Sequence, residues 1–528
     1  MIEIFLTIVW FPYLIFRIKK SLHMLQQNLY DDDFRYVKWL KKNFGKIMLS
    51  FDLVQVLLIF FILFAKKGIV ISILFGIVYL LLFARSFGLS YKEVVKKPLV
   101  VTARVKRMMI TIVLLYLLMI APMLILYIDE MVVVNYLFLG FVGYLNYLVI
   151  LVANIINKPI EKLVYLSYKK KALKKLKAYN IPVVGITGSY GKTSSKNIVN
   201  DILSVKFNSF ATPKNFNTTY GLINTVNNYL DKFSNLFIAE LGAFKKGEIK
   251  KSCKFIKPTH GILTCIGQAH LESFGSQENI QKGKFELIES LPSDGIAILN
   301  GDDEYQVNYK LKNDCNVYWI GINNKDVDLC ATDIKLSYQG TTFKVKFKGD
   351  DEEYEFRTKL LGNHNVYNLL AGILLGKLLG MSISELQRGV SKVKTIEHRL
   401  ELKKLGDINL IDDAYNSNPV GSKAAVEVLG MMPGMKIIVT PGMIELGEEQ
   451  YNLNKKFGTY IADNVDYVIL VGKEQTKPIY DGLVSKQFDE DKIYVLNDVK
   501  EAFPLMRKLS DGETYVLLEN DLPDLFNE

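Results

Sequence analysis

Residues 187–194 read Thr-Gly-Ser-Tyr-Gly-Lys-Thr-Ser, and they follow the largely apolar run Ile181–Ile186. An apolar strand that ends in two closely spaced glycines, then Lys-Thr and a helix, leaves few folds open. It asks for an α/β sheet in which a strand end meets a helix N-terminus. In such a loop the backbone N–H groups and the helix N-terminus point at an anion. Gly188 and Gly191 let the backbone approach without a Cβ in the way. Lys192 can reach terminal phosphates, and the Thr193 hydroxyl can hold Mg²⁺. The expected cradle comprises Gly188, Ser189, Gly191, Lys192, Thr193 and Ser194. Only Ser189 and Tyr190 separate the glycines, a tighter loop than the general G-x-x-x-x-G-K-[ST] pattern. Taken alone, the loop leaves a second reading open, a glycine-rich turn beside a solvated lysine.

At 528 residues the chain has room for three or four domains. Its apolar content is unevenly spread. Ile47–Ala65, Met108–Ile128 and Met131–Ile156 are long enough to span a hydrocarbon core, which takes about 20 residues. Ile69–Ala84 is shorter and Ile2–Phe16 marginal. Ile2–Phe16 has no basic flank or small-residue cleavage site, so no removable signal peptide is expected. Basic segments at Arg17–Lys46, at Arg85–Arg107 and after Ile156 fall on one side if the spans alternate, against Lys66 and Lys67. The expectation is a multi-pass protein of the plasma membrane with its catalytic part in the cytoplasm. Asp52 lies inside a span, as either a functional carboxylate or an interfacial one. The stretch from Asp31 to Leu40 reads as an amphipathic helix lying on the membrane. The lysines behind the net charge of +10 flank these apolar runs, so no nucleic acid is expected. The four cysteines form no C-x-x-C pair, which indicates neither zinc nor a disulfide framework.

Further motifs follow the glycine loop. Pro213–Gly221 is rich in asparagine and on its own reads as a turn. Asn235–Ile238 is a short apolar strand leading to Glu240. A carboxylate at a strand's carboxyl end, facing a phosphate loop, is well placed to ligate Mg²⁺. A second strand, Gly261–Ile266, leads to Gln268–Ser276 with His270; a third, Gly295–Leu299, leads to Asn300-Gly301-Asp302-Asp303. Then come Lys282-Gly283-Lys284-Phe285-Glu286, Leu361–Asn368, Glu397-His398-Arg399-Leu400-Glu401, Asp412–Pro419 and Pro441–Gly447.

In this order the motifs resemble those of the Mur ligase family, and the D-Ala-D-Ala-adding, MurF-type branch most. The resemblance runs from Pro182 to about Leu446. Family members use ATP to join a carboxylate to an amine. The resemblance implies that Asn215 and Asn217 approach the phosphates and the acyl substrate, and that Thr193, Glu240, His270 and Lys284 hold two Mg²⁺ ions. The lysine would act as a carbamate, with Lys282 the alternative register. It implies that Asn365 and Asn368 meet the adenine, that Arg399 reaches the γ-phosphate, and that Asp413 belongs to the nucleotide site. Tyr415, Asn416 and Asn418 would face the substrate. Lys192, Lys284, Arg399 and His270 are the expected catalytic residues. Lys214 and Thr218 depart from the asparagine motif, and Pro441-Gly442 replaces Gly-Asp. The K-G-S-R near the carboxyl end is missing, with Leu517–Asp521 at that strand. Membrane helices are expected where the branch has its UDP-sugar-binding domain.

The fold expected is therefore an α-helical transmembrane region followed by α/β, with a P-loop central domain and a Rossmann-like C-terminal domain. The boundaries are 1–156 for four or five spans, 157–180 for a basic linker, 181–396 for the ATP-binding domain and 397–528 for the closing domain. Ile334–Arg357 alternates in β-fashion and should add strands to the central domain. The reaction expected is ATP-dependent amide ligation through an acyl phosphate, in cell-wall precursor synthesis. The substrate would be a small-molecule or membrane-linked peptide, with other cell-wall enzymes as partners. The helices would bring the site to a membrane-associated substrate or act as a tether. The alternatives are a poly-γ-glutamate-type ligase and a nucleotide-binding membrane scaffold without catalysis.

Overall fold

The computed structural model describes residues 2–28, 30, 35–48, 68–92, 98–125, 140–269, 271–337, 339–395, 398–414, 417–444 and 446–520. The chain divides into two compact units, Met1–Ser167 and Tyr168–Glu528.

The first unit is helical: α1 (Ile2–Gln27), α2 (Arg35–Lys42), α3 (Phe44–Met48), α4 (Gly68–Lys92), α5 (Ala103–Ile125) and the start of α6 (Asn146–Tyr179). Its core gathers aromatic residues, with Trp10, Tyr13, Tyr36, Tyr79, Tyr116 and Tyr147 all buried. A polar chain runs through it. Asn146 Nδ2 donates to Ser21 Oγ, Ser21 Oγ to the Arg17 carbonyl, and Tyr116 OH to Asn146 Oδ1. These bonds satisfy groups that burial would otherwise penalise.

Among the described residues no helix is long and apolar enough to cross a membrane. This overturns the expected α-helical transmembrane region, and with it the expected multi-pass membrane localisation. Charged and amide residues share these helices with the apolar runs. Arg17, Lys19 and Lys20 lie in α1, and Arg85 in α4. Arg104, Lys106 and Arg107 open α5, and Asn154, Asn157 and Lys158 lie in α6. Most of Ile47–Ala65, with Asp52, lies outside the described residues, as do 31–34 and 131–139. Helix α2 overlaps the stretch from Asp31 to Leu40 over residues 35–40. The outward face of α5 still exposes Ile110, Val113, Leu114, Leu117 and Leu118, at helical spacing. An exposed apolar stripe of that kind marks an interaction face.

The second unit holds two sheets. The first has nine strands in the order β2-β3-β1-β4-β5-β6-β7-β8-β9. The strands are β1 (Val183–Thr187), β2 (Ser209–Ala211), β3 (Leu236–Glu240), β4 (His260–Leu263), β5 (Ile296–Asn300), β6 (Asn316–Gly321), β7 (Leu329–Ser337), β8 (Gly340–Phe347) and β9 (Glu353–Thr358). Pairing is parallel from β2 through β7, and β7–β8–β9 is antiparallel. The last three strands lie where the β-alternation of 334–357 is read. Strands β1 and β3 are buried throughout, which is why they read as apolar runs without alternation. The chain passes from β1 outward to β2 and β3, then crosses to β4 on the other side of β1. That reversal opens a crevice at the carboxyl ends of β1, β3 and β4, where an α/β sheet binds its ligand.

Helix α7 (Lys192–Leu203) follows β1 and buries Ile198, Val199, Ile202 and Leu203. Each such side chain contributes roughly 1.5–3 kcal/mol on burial. It packs against α13 (Asn363–Leu378) and α14 (Ile383–Lys392), whose start is set by a Ser382–Glu385 capping box. Between α7 and α13 lie α8 (Thr219–Asn228), α9 (Glu248–Ile256), α10 (Leu271–Phe274), α11 (Gln277–Phe285) and α12 (Glu304–Val307).

The second sheet has the order β10-β11-β15-β12-β13-β14. It comprises β10 (Glu401–Leu405), β11 (Ile408–Asp413), β12 (Met435–Thr440), β13 (Tyr467–Val471), β14 (Ile493–Leu496) and β15 (Thr514–Glu519). Only β10 runs antiparallel to its neighbour. The final strand β15 inserts between β11 and β12, so residues about 100 positions apart meet at one edge.

Candidate active site

The phosphate loop is built by tying residues 188–191 to the exit of β4. Ser189 N donates to the Cys265 carbonyl at 2.8 Å. Ser189 Oγ and the Gly267 backbone exchange bonds at 2.9 Å each. Thr264 Oγ1 donates to the Tyr190 carbonyl at 2.6 Å. The loop is pressed so close that a Cβ on Gly188 would lie 1.9 Å from Thr264 Oγ1. Gly191 caps α7 with φ 76°, a backbone that glycine adopts without strain. Asn368 of α13 is near: a Cβ on Gly191 would lie 3.8 Å from its Oδ1.

A cavity of about 220 Å³ opens over this loop. Ser189–Ser194, Asn215, Asn217, Glu240, Gln268, Arg399, Ser417 and Asn418 line it, with Phe244, Ile444 and Leu446 as its apolar wall. Lys192 Nζ donates to the Gly188 and Ser189 carbonyls, each at 2.9 Å. Burial lowers its pKa, with Glu240 opposing that shift. Glu240 is buried at the end of β3. Its Oε2 accepts from Thr193 Oγ1 at 3.0 Å and its Oε1 from Asn217 Nδ2 at 3.0 Å. A buried carboxylate beside a loop hydroxyl is a donor set that suits Mg²⁺, which takes one or two carboxylates and completes its shell with water and phosphate. Among the described residues no three His, Cys, Asp or Glu side chains cluster as a self-sufficient metal site. His270, Tyr415 and Asn416 lie outside the described residues.

The two lysines left open by the motif have different surroundings. Lys282 is half-buried, its side chain 42 % exposed, and pairs with Glu278 at 2.5 Å, one turn earlier on α11. Lys284 is 1 % exposed, with its ammonium 5.3 Å from the centre of the Phe274 ring. Burial, and next the charge of Lys192, bring its pKa down to about 7. An appreciable fraction is therefore the neutral amine at physiological pH.

Arg399 reaches the cavity from a bent linker. His398 and Leu400 on either side of it both have left-handed backbones, φ 58° and 46°. Such strain persists only where the surroundings impose it. Here His398 Nδ1 bonds Asp412 Oδ2 at 2.8 Å, and Leu400 N donates to Asp413 Oδ1 at 3.1 Å. Burial works against the charge of Asp412, yet bonds from Lys403, His398 and Ala414 hold its carboxyl below the usual range. His364, in the motif that opens α13, is pushed down to about 4 by burial and by Arg399. Asn365 and Asn368 are both buried, and Asn365 Nδ2 is spent on the Leu361 carbonyl at 2.8 Å. Asn418 caps helix α15 (Pro419–Gly430), accepting from Val420 N and Gly421 N. Asp302 and Asp303 serve the fold here. Asp302 accepts three backbone N–H groups of residues 322–324, and Asp303 accepts from Ile266 N.

Sequence reading did not assign Ser417, Glu519 or Lys196 to the site. Ser417 lines the cavity and donates to Glu519 Oε1 at 2.5 Å. Its N–H donates to Asn520 Oδ1, and Asn520 Nδ2 donates to the Gly442 carbonyl. Glu519 and Asn520, at the strand where K-G-S-R is missing, thus hold both loops of the closing sheet that face the cavity. Asp413 and Glu519 are register partners across β11 and β15. Burial raises Asp413 to about 6 against the pull of Arg399; burial, then the charge of Asp413, raise Glu519 well above its usual value. The folded chain therefore keeps protons that the unfolded chain has given up above pH ~4. Stability is expected to fall as pH rises through about 4 to 6. In Glu519→Gln that slope should flatten, read as melting temperature against pH. An unchanged slope would assign it to other groups.

The geometry is matched by similarity to known proteins. Residues 186–376 match the Mur ligase middle domain, and residues 398–518 match the Mur ligase glutamate ligase domain. The UDP-N-acetylmuramoyl-tripeptide–D-alanyl-D-alanine ligase of Bacillus subtilis is 31% identical over 342 residues, which cover 64% of this chain and 72% of that enzyme. The Escherichia coli enzyme of the same name is 33% identical over 295 residues, 55% of this chain and 65% of that one. Among solved structures, MurF from Acinetobacter baumannii superposes with a TM-score of 0.61 at 25% identity, covering 67% of this chain and 77% of that one. A MurF ligase from Thermotoga maritima in complex with ADP gives 0.59 at 25% identity, covering 67% and 79%. Together with these relatives, a phosphate loop facing a buried glutamate, with an arginine reaching in from the linker before the second sheet, defines an ATP-dependent ligase. The chain belongs to the Mur ligase family.

Proposed function

We infer that this chain activates a peptide carboxylate with ATP as an acyl phosphate and transfers the acyl group to the amine of an amino acid or dipeptide. The pathway is peptidoglycan precursor synthesis, and the nearest reaction is the addition of D-Ala-D-Ala. One observation carries this reading: Lys192, Thr193, Glu240 and Arg399 line one cavity, together with Ser417 and Asn418 of the closing sheet. Residues 181–396 are the ATP-binding domain in this reading, and 397–528 the domain that closes over it.

Lys192 and Arg399 would stabilise charge on the transferring phosphoryl group, and Asn365 and Asn368 would meet the adenine. Thr193 and Glu240 would hold Mg²⁺, with His270 as a further ligand; when bound, the ion neutralises phosphate charge. Asn215, Asn217, Tyr415, Asn416 and Asn418 would orient the substrates. Asp413 would hold the Arg399 linker through Leu400 N. Lys284 is the residue to be carbamylated, because CO₂ adds to a neutral amine and burial supplies one there. Proximity and charge neutralisation carry the reaction without a side-chain nucleophile.

The test is phosphate release by the purified full-length chain with ATP, UDP-MurNAc-peptides and D-Ala-D-Ala, against free amino acids. Release only with the sugar peptide and an amine supports the reading. Release with free amino acids alone would replace it with an amino-acid polymer ligase.

A further inference from the structure

One buried cation in the site has no part in the mechanism above. Lys196 lies one helical turn beyond Lys192 on α7, and its side chain is 2% exposed. Nothing so large and charged is buried without partners. Its Nζ donates to the Lys214 carbonyl at 2.6 Å and stands 3.5 Å from Glu240 Oε2. Lys214 itself sits in a left-handed backbone, φ 49°. The same Oε2 accepts from Thr193 Oγ1, and Oε1 is taken by Asn217. Glu240 is thus fully satisfied by protein groups, and its charge is balanced by an ammonium within the fold. Lys192 is differently engaged, folded back on the Gly188 and Ser189 carbonyls.

A divalent cation held by Thr193 Oγ1 and Glu240 Oε2 would enter beside that ammonium. Two like charges would then share one buried carboxylate oxygen, in surroundings that screen them poorly. Nucleotide phosphates bring the negative charge that removes the conflict. We propose that Lys196 is a built-in counter-ion to Glu240, which holds the carboxylate in place and makes metal binding depend on the nucleotide. It is a positioning residue, acting through Glu240 and, by its bond to Lys214, through the 213–217 segment as well. The inference rests on the reading of Glu240 as a metal ligand.

The test measures Mn²⁺ binding to the full-length chain by the loss of free-ion EPR signal, with and without a non-hydrolysable ATP analogue. The native chain should bind Mn²⁺ at least tenfold more tightly with the analogue than alone. Lys196→Met and Lys196→Gln should bind Mn²⁺ alone at least tenfold more tightly than native, while Lys196→Arg stays near native. Mn²⁺ alone should also raise the melting temperature of the two neutral variants and not that of the native chain, because their Glu240 charge is left uncompensated. Folded neutral variants that bind Mn²⁺ alone no more tightly than native overturn the proposal. Should neither neutral variant fold, the native chain decides: with the Mn²⁺ held by the analogue alone subtracted, equal affinity with and without the analogue overturns it, and the tenfold difference upholds it. Glu240→Gln separates this from the underlying reading. If that variant binds Mn²⁺ with the analogue as native does, the metal assignment itself fails.

Discussion

Lys192→Ala is expected to abolish ATP turnover while leaving the chain folded. Lys192 is held over its own loop by the Gly188 and Ser189 carbonyls, with its ammonium in the cavity. A preorganised cation at developing phosphate charge contributes on the order of 10²–10³ in rate in a site closed to water. The structural loss is smaller. Two hydrogen bonds to carbonyls contribute about 1 kcal/mol each. Removing a partly desolvated ammonium offsets part of that loss. Turnover should therefore fall at least ~100-fold, with the melting temperature lowered by only a few degrees. Phosphate release and a thermal melt on the same preparation check both halves. Turnover near the native rate would remove Lys192 from the ATP site.

Lys284→Ala is expected to lose ligation, and short carboxylates such as formate should restore part of it. The side chain is buried beside Phe274, and its ammonium is disfavoured there. A carbamate would add an anionic oxygen in the electrostatic range of Lys192, and a free carboxylate can stand in for it. Lys282→Ala should remain active, because Lys282 faces solvent and pairs with Glu278. A dead Lys282→Ala with an active Lys284→Ala would reverse the register. There is also a pH signature. With a pKa of about 7 in the folded chain against ~10.4 unfolded, Lys284 holds fewer protons folded than unfolded across that window. Its contribution to stability therefore rises as pH rises from about 7 toward 10. The melting temperature of unmodified native chain should climb across that range relative to Lys284→Ala.

Much of the second unit was legible along the chain. The apolar runs before Gly188, before Glu240 and before Asn300 are strands β1, β3 and β5, because a parallel strand buried on both faces can carry no alternation. The first third was misread for a related reason. Length and apolarity were taken as spans, whereas among the described residues no helix is long and apolar enough to cross a membrane. Asp302 and Asp303, in the motif after β5, commit their carboxylates to backbone N–H groups of the fold.

The loop from Thr187 to Ser194 was decided by sequence. Its glycines meet requirements that act within a few residues, a left-handed cap at Gly191 and a backbone too close to its neighbour for a Cβ at Gly188. Tertiary structure alone decided which lysine of Lys282-Gly283-Lys284 turns inward. Two residues on a helix differ by about 200° in direction, and only the packing of α11 says which side is buried. It alone brought Glu519 against Asp413 and Ser417, because β15 inserts between β11 and β12 from a hundred residues away. It alone gave Lys196 its partner, since Glu240 is delivered by a different strand. Local geometry depends on what each residue permits. Charge pairing depends on what the sheet order brings within a few ångströms, and that distance is not written along the chain.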